Sequence, residues 1–100
     1  MAEIKTKRKT KTKINIAEPK KWNVVFYNDD KTPMDFVIAV LEEVFHYNNE
    51  KAMEMTLRIH ETNSQIVATY NYEIAEQKTS ETLMLARNFN FPFRVELIQE

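Results

Sequence analysis

The sequence predicts an α+β domain of two layers, with three helices over a small three-stranded antiparallel sheet. Three observations predict it. Short runs rich in β-branched and aromatic residues alternate with longer segments whose apolar residues recur at helical spacing. Read in order, these segments give β-α-α-β-α-β, and none repeats another. The chain has 100 residues, enough for one domain built on a single core.

The first strand is read over residues 22–27, Trp22-Asn23-Val24-Val25-Phe26-Tyr27. An acidic turn, Asn28-Asp29-Asp30, leads into a helix start. Thr32 stands at the N-cap position, and Pro33, at the first helical position, has no N–H to leave unpaired. Asp35, three residues past the cap, offers a short capping-box return bond and favours the positive end of the helix. Helical spacing of Val37, Val40, Leu41, Val44 and Phe45 carries this helix over residues 33–46. Asn48-Asn49 breaks it and can cap a second helix over residues 50–61, which holds Ala52, Met53, Met55, Thr56, Leu57, Ile59 and His60. Asn63-Ser64 turns the chain into a short strand over residues 65–70. Asn71 then caps a third helix over residues 72–89, with Ile74, Ala75, Leu83, Leu85 and Ala86 available for burial. Asn90 and Pro92 end it, and the last strand covers residues 93–98.

Glycine is absent. Asparagine is the next residue most tolerant of left-handed backbone angles, and Asn28, Asn49, Asn63, Asn71 and Asn90 all fall at element boundaries. Most of them read as backbone devices. Without glycine there is also no phosphate-cradling loop, which disfavours nucleotide hydrolysis of that kind.

Charge divides the chain. Residues 1–21 carry eight Lys/Arg and two acids, about +6, whereas residues 22–100 carry six Lys/Arg and thirteen acids, about −7. The domain is therefore read over residues 22–100, preceded by a basic extension over residues 1–21. That extension has no apolar periodicity and is expected to be disordered. It reads as a solubilising arm, a nucleic-acid arm or a segment that engages a partner. A nucleic-acid reader would also show basic and stacking residues on its folded part, and here the folded part is acidic. No cysteine is present, so disulfides, thiolate metal sites and thiol nucleophiles are excluded. No apolar run is long enough to cross a membrane and no secretory leader is seen, which makes the cytoplasm the default expectation.

Enzyme chemistry finds little support. His46 and His60 are the only histidines and form no close ligand pair, and neither Ser64 nor Ser80 sits on a nucleophile-type turn. No metal, no cofactor and no catalytic residue are expected. A different chemistry is suggested by the acidic turn. No feature of the predicted fold requires Asn28, Asp29 and Asp30 to cluster ahead of the cap, and such a cluster is an acceptor site for a cation. Thr56 and His60 lie four apart on one helix face. If that helix lies beside the turn, His60 becomes a third polar group over the site, with apolar neighbours beneath.

These residues also carry a resemblance. Asn28-Asp29-Asp30-x-Thr32-Pro33-Met34-x-Phe36-Val37, then Leu57-x-x-His60, then Tyr72-Glu73-Ile74-Ala75-Glu76-x-Lys78 and Ala86-Arg87-Asn88 with Pro92 following, resemble the ClpS family over roughly residues 22–100. The resemblance implies a monomeric, non-catalytic adaptor. Such an adaptor binds the free α-amine and bulky first residue (Leu, Phe, Tyr or Trp) of N-degron polypeptides and delivers them to the N-terminal domain of a ClpA- or ClpC-like AAA+ unfoldase. It implies that Asn28, Asp29, Asp30 and His60 bind the amine, a cation near neutral pH with three N–H donors. His60 would accept only while its facing nitrogen is unprotonated. Thr32, Met34, Val37, Thr56, Ile59 and Phe93 match the family's side-chain pocket, Met34 as the gatekeeper against β-branched ligands. On the residues alone Met34, Val37 and Ile59 read as ordinary core. Glu73 and Lys78 match unfoldase-docking positions, which by themselves read as a solvated helix face.

Two pocket positions depart from the family's usual residues, Thr56 for Met and Phe93 for Leu. They imply a reshaped pocket that favours aromatic first residues. A third departure, Asn63-Ser64 where the family often has glycine, is expected to affect only the turn. The basic extension has the place of the family's delivery segment without a matching motif. Two other classes stand beside this reading. A ribosomal-stalk-like interaction module of similar shape would be indifferent to alanine at Asn28, Asp30 and His60. A tail-driven nucleic-acid binder would show strong salt dependence.

Overall fold

The computed structural model describes residues 20–100. The elements are β1 (Lys21–Tyr27), α1 (Met34–Glu43), α2 (Asn49–Thr62), β2 (Ser64–Asn71), α3 (Tyr72–Asn88) and β3 (Arg94–Gln99). The predicted order and class are borne out. β1 is the central strand of a three-stranded sheet ordered β2-β1-β3, with both pairings antiparallel. The basic extension expected over residues 1–21 lies outside the described residues apart from Lys20 and Lys21, and Lys21 already pairs with Asn71 in the sheet. Among the described residues no helix is long and apolar enough to cross a membrane.

Alternation along β1 sends Val24 and Phe26, both 0% exposed, toward the helices. Val37, Val40, Leu41, Val44 and Phe45 all enter the core as the spacing predicts, joined by Ala52, Met55 and Ile59 of α2. A bulge lies opposite Val24 and Val25, whose β2 partners are Ala68 and Ile66. Val67 between them is buried in the core.

Several local expectations are corrected. Thr32 does not cap α1. Pro33 occupies the N-cap, and no side chain makes a capping bond there. The Thr32 hydroxyl instead donates to the Asp29 carboxylate at 2.8 Å, which also accepts the N–H groups of Lys31 and Thr32 at 2.8 and 2.7 Å. Asp29 is therefore a turn-former that closes the loop on itself. α1 also stops at Glu43, short of residue 46, because His46 takes a left-handed φ of 63°. No basic residue stands in its last turn. The Lys78 ammonium of α3 supplies one from outside, donating to the Val44 carbonyl at 2.7 Å.

The asparagines divide between two jobs. Asn48 and Asn71 are N-caps, accepting from Lys51 N–H and Ile74 N–H. Asn63 and Asn90 take left-handed angles, φ 73° and 60°, where glycine would be the common choice. Neither Asn28 nor Asn49 does; the Asn49 amide donates to Glu42. Of the residues available for burial on α3, Ala75 and Ala86 are buried, joined by Thr82, while Leu83 and Leu85 are half-buried and Ile74 is exposed. Small side chains let it lie close to the sheet, and the Thr82 hydroxyl is satisfied by the Lys78 carbonyl.

Candidate functional site

One small cavity gathers residues from five places in the sequence. The end of β1 brings Asn28, the turn Asp29 and Thr32, α1 Met34 and Val37, α2 Thr56, Ile59 and His60, and the approach to β3 brings Phe93. It encloses about 260 Å³ between atoms, mouth included, and its interior has room for hardly more than a water molecule.

Local sequence explains each placement. The Asn28 N–H donates to the Asn63 carbonyl at 2.9 Å, and the Asn63 N–H donates to Ile59 at 2.9 Å. The left-handed end of α2 is thus stitched to the end of β1, and His60 stands beside the acidic turn as the helix-face argument anticipated. The self-closed Asp29 loop sets Thr32 and Met34 at the rim. One helical turn on, Val37 is 5% exposed, and Ile59 across from it is 3% exposed. Thr56 is buried, with its hydroxyl given to the Ala52 carbonyl within its own helix. The smaller side chain therefore adds no unpaired polar group to the wall. Phe93 sits edge-on to Phe26 at 4.9 Å and to Phe36 at 6.1 Å, which fixes its ring.

All six residues expected in a side-chain pocket line this one cavity, as do Asn28, Asp29 and His60. Asp30 does not. It is exposed on the turn, outside the lining. Asp29 lines the cavity but has both carboxylate oxygens engaged by its own loop. Tyr27 also borders the cavity and was not anticipated. With Phe26 facing the helices, alternation puts the Tyr27 ring on the open face of the sheet. No pattern in the side chains signals such a residue.

On that open face the Tyr27 hydroxyl donates to Glu96 at 2.6 Å, and the Arg94 guanidinium lies 4.1 Å from the ring centre. The hydrogen bond to Glu96 holds the phenol above its ordinary pKa. The same bond, followed by that from Arg94, holds Glu96 below its own.

Glu73 and Lys78 do not come together. Glu73 is exposed in the first turn of α3, beside Trp22 and Tyr72. Lys78 is partly buried in a furrow against the end of α1 and is not on a freely solvated face.

The site has polar acceptors at its mouth and an apolar interior, a form suited to a ligand with a cationic head and a hydrophobic body. The chain is similar to known proteins over most of its length. Residues 17–96 match the family described as "ATP-dependent Clp protease adaptor protein ClpS". A ClpS adapter of Nautilia profundicola is 42% identical over 89 residues, covering 89% of this chain and 92% of that one. A ClpS adapter of Vibrio atlanticus is 41% identical over 91 residues, covering 91% and 82%. Among solved structures, Agrobacterium tumefaciens ClpS2 bound to L-phenylalaninamide superposes with a TM-score of 0.80 at 31% identity, covering 83% of this chain and all of that one.

Proposed function

The chain belongs to the ClpS family of Clp protease adaptors, and from that premise we propose that its cavity receives the first residue of an N-degron polypeptide for delivery to a Clp-type AAA+ unfoldase. One observation carries the reading: Asn28 and His60 stand at the mouth of the cavity that Met34, Val37, Thr56, Ile59 and Phe93 line. The free α-amine donates to Asn28 and His60, and the turn carboxylates supply a negative field. Asp30 contributes to that field from outside the cavity. The hydrophobic first side chain enters the interior. The solved relative's ligand, L-phenylalaninamide, has this chemistry, a free α-amine beside an aromatic side chain and no carboxylate.

A bulky side chain does not fit until the narrow interior parts. Met34, at the rim and 39% exposed, is the group free to swing aside, being unbranched with three rotatable bonds. A ligand branched at Cβ would crowd that same side chain, which disfavours Ile and Val. The ring of Phe93 offers an aromatic guest an edge contact worth about 0.5–1.5 kcal/mol beyond its area. Exchanging Thr56→Met with Phe93→Leu should therefore move preference from Phe toward Leu. An unchanged Leu/Phe affinity ratio in that double variant would refute the aromatic bias.

Fluorescence anisotropy with peptides that begin Phe, Leu, Val or acetylated Phe tests the function. Binding of Phe and Leu with rejection of the other two is the expected outcome. Equal binding of free and acetylated Phe would remove the amine site. The reading also implies a monomer working in the cytoplasm.

A further inference from the structure

Asn28 and Phe93 reach the cavity from neighbouring strands. The ladder between β1 and β3 runs from Trp22 and Gln99 to Tyr27 and Arg94, its last pair. Asn28 follows Tyr27 and Phe93 precedes Arg94, so both stand just past that pair, where the strands part. Successive side chains along a strand point to opposite faces. Tyr27 and Arg94 meet on the open face, while Asn28 and Phe93 line the cavity.

Three side chains close over that last pair. The Tyr27 hydroxyl donates to Oε1 of Glu96 at 2.6 Å, and Arg94 donates to Oε2 at 3.3 Å. The Arg94 guanidinium lies 4.1 Å from the centre of the Tyr27 ring. Each member thus holds the other two, and both carboxylate oxygens are engaged. Among the described residues no other side-chain hydrogen bond joins β1 to β3. An exposed ion pair such as Arg94–Glu96 stabilises little by itself. The place of this clasp gives it a second use. On the other side of β1, the Asn28 N–H is held by the Asn63 carbonyl at 2.9 Å. The end of β1 is therefore fixed from β2 through the backbone and from β3 through the clasp. A comparable brace, the Thr69 hydroxyl on Asn23 at 2.7 Å, ties β1 to β2 away from the cavity.

We propose that Tyr27, Arg94 and Glu96 are positioning residues for the peptide site: their clasp sets the separation between Asn28, which meets the α-amine, and Phe93, which walls the side-chain pocket. This rests on the reading that the cavity receives the first residue of a polypeptide. The separation measures a ligand from its amine to the body of its side chain. Held fixed, it pre-organises the site for one kind of first residue. Slackened, it binds less tightly and distinguishes Phe from Leu less well.

The test is fluorescence anisotropy with Phe- and Leu-peptides, at a temperature where circular dichroism shows every variant folded. Tyr27→Phe keeps the ring and removes only the hydroxyl. It should weaken Phe-peptide binding about threefold to tenfold and bring the Phe/Leu affinity ratio closer to one. Glu96→Gln, which keeps an oxygen for the hydroxyl, should recover most of the loss seen in Glu96→Ala. In an Asn28→Ala background Tyr27→Phe should have a smaller effect, because it acts through Asn28. Thr69→Val removes the brace far from the cavity. It should lower Tm and leave both affinities within about twofold of the wild type. Unchanged affinity and ratio in Tyr27→Phe, with Tm lowered as in Thr69→Val, would make the clasp a brace of the sheet alone. That result, or a loss shared equally by Phe and Leu and fully additive with Asn28→Ala, would overturn the proposal and leave the peptide site standing. A wild-type chain that binds neither peptide would overturn both readings.

Discussion

At the residue scale, the proposed amine site separates residues that chemistry alone would group. Asn28 and His60 line the cavity, Asp29 lines it with its oxygens already committed, and Asp30 stands outside. Leaving the buried end of a bound amine without an acceptor costs about 1–3 kcal/mol. Asn28→Ala and His60→Ala should each weaken Phe-peptide binding by about tenfold to a hundredfold on that scale. Asp30→Ala should weaken it far less, and at high salt scarcely at all, because an exposed charge acts through a screened field. Equal losses at Asp30 and Asn28 would count against this division. A second residue prediction concerns the missing glycines. Asn63 holds φ 73° at the end of α2. Asn63→Ala should cost about 1–2 kcal/mol in denaturant unfolding, and Asn63→Gly little or nothing. The sequence showed that asparagines stood in for glycine but not which ones, since an N-cap and a left-handed C-cap draw on the same residue. Thr32 was misread as a cap for a related reason. Thr32 could bond an N–H of the helix or the Asp29 carboxylate, and the charged partner three residues back wins.

At the element scale, β1 and β3 are joined on their open face by Tyr27, Glu96 and Arg94. The phenol is raised and the carboxylate lowered, chiefly by the bond between them. The sign follows from linkage. A lowered carboxylate adds stability above its unfolded value and loses it as pH falls through its folded one. A raised phenol adds stability below its unfolded value and loses it as pH rises through its folded one. The bond therefore stabilises the sheet across the neutral range and fades at both ends. Thermal melts of the wild type and Tyr27→Phe should differ most near neutral pH and converge as pH drops below the carboxylate range. A gap that stays constant into acid would mean the hydroxyl acts by packing. Pairing of Tyr27 with Arg94 across the strands could not be read from the sequence, because it depends on register. The helices were more legible. The apolar stripe of α1 predicted its buried face residue by residue, whereas α3 showed Ala75 and Ala86 but not Thr82. A buried threonine gives no hydropathy signal for a close helix-sheet contact.

For the whole molecule, the cavity draws on β1, the turn, α1, α2 and the approach to β3, so a ligand there ties both helices to the central strand. Binding that is specific to the folded state adds RT ln(1 + [L]/Kd) to stability, about 2.7 kcal/mol at a hundredfold excess over Kd. For a domain of this length each kcal/mol moves the midpoint by about 4–8 °C. A Phe-peptide at a hundredfold excess over its Kd should therefore raise Tm on the order of 10–20 °C. Acetylated Phe-peptide at the same concentration should leave Tm in place, since it has neither the charge nor the donors that the mouth is built to meet.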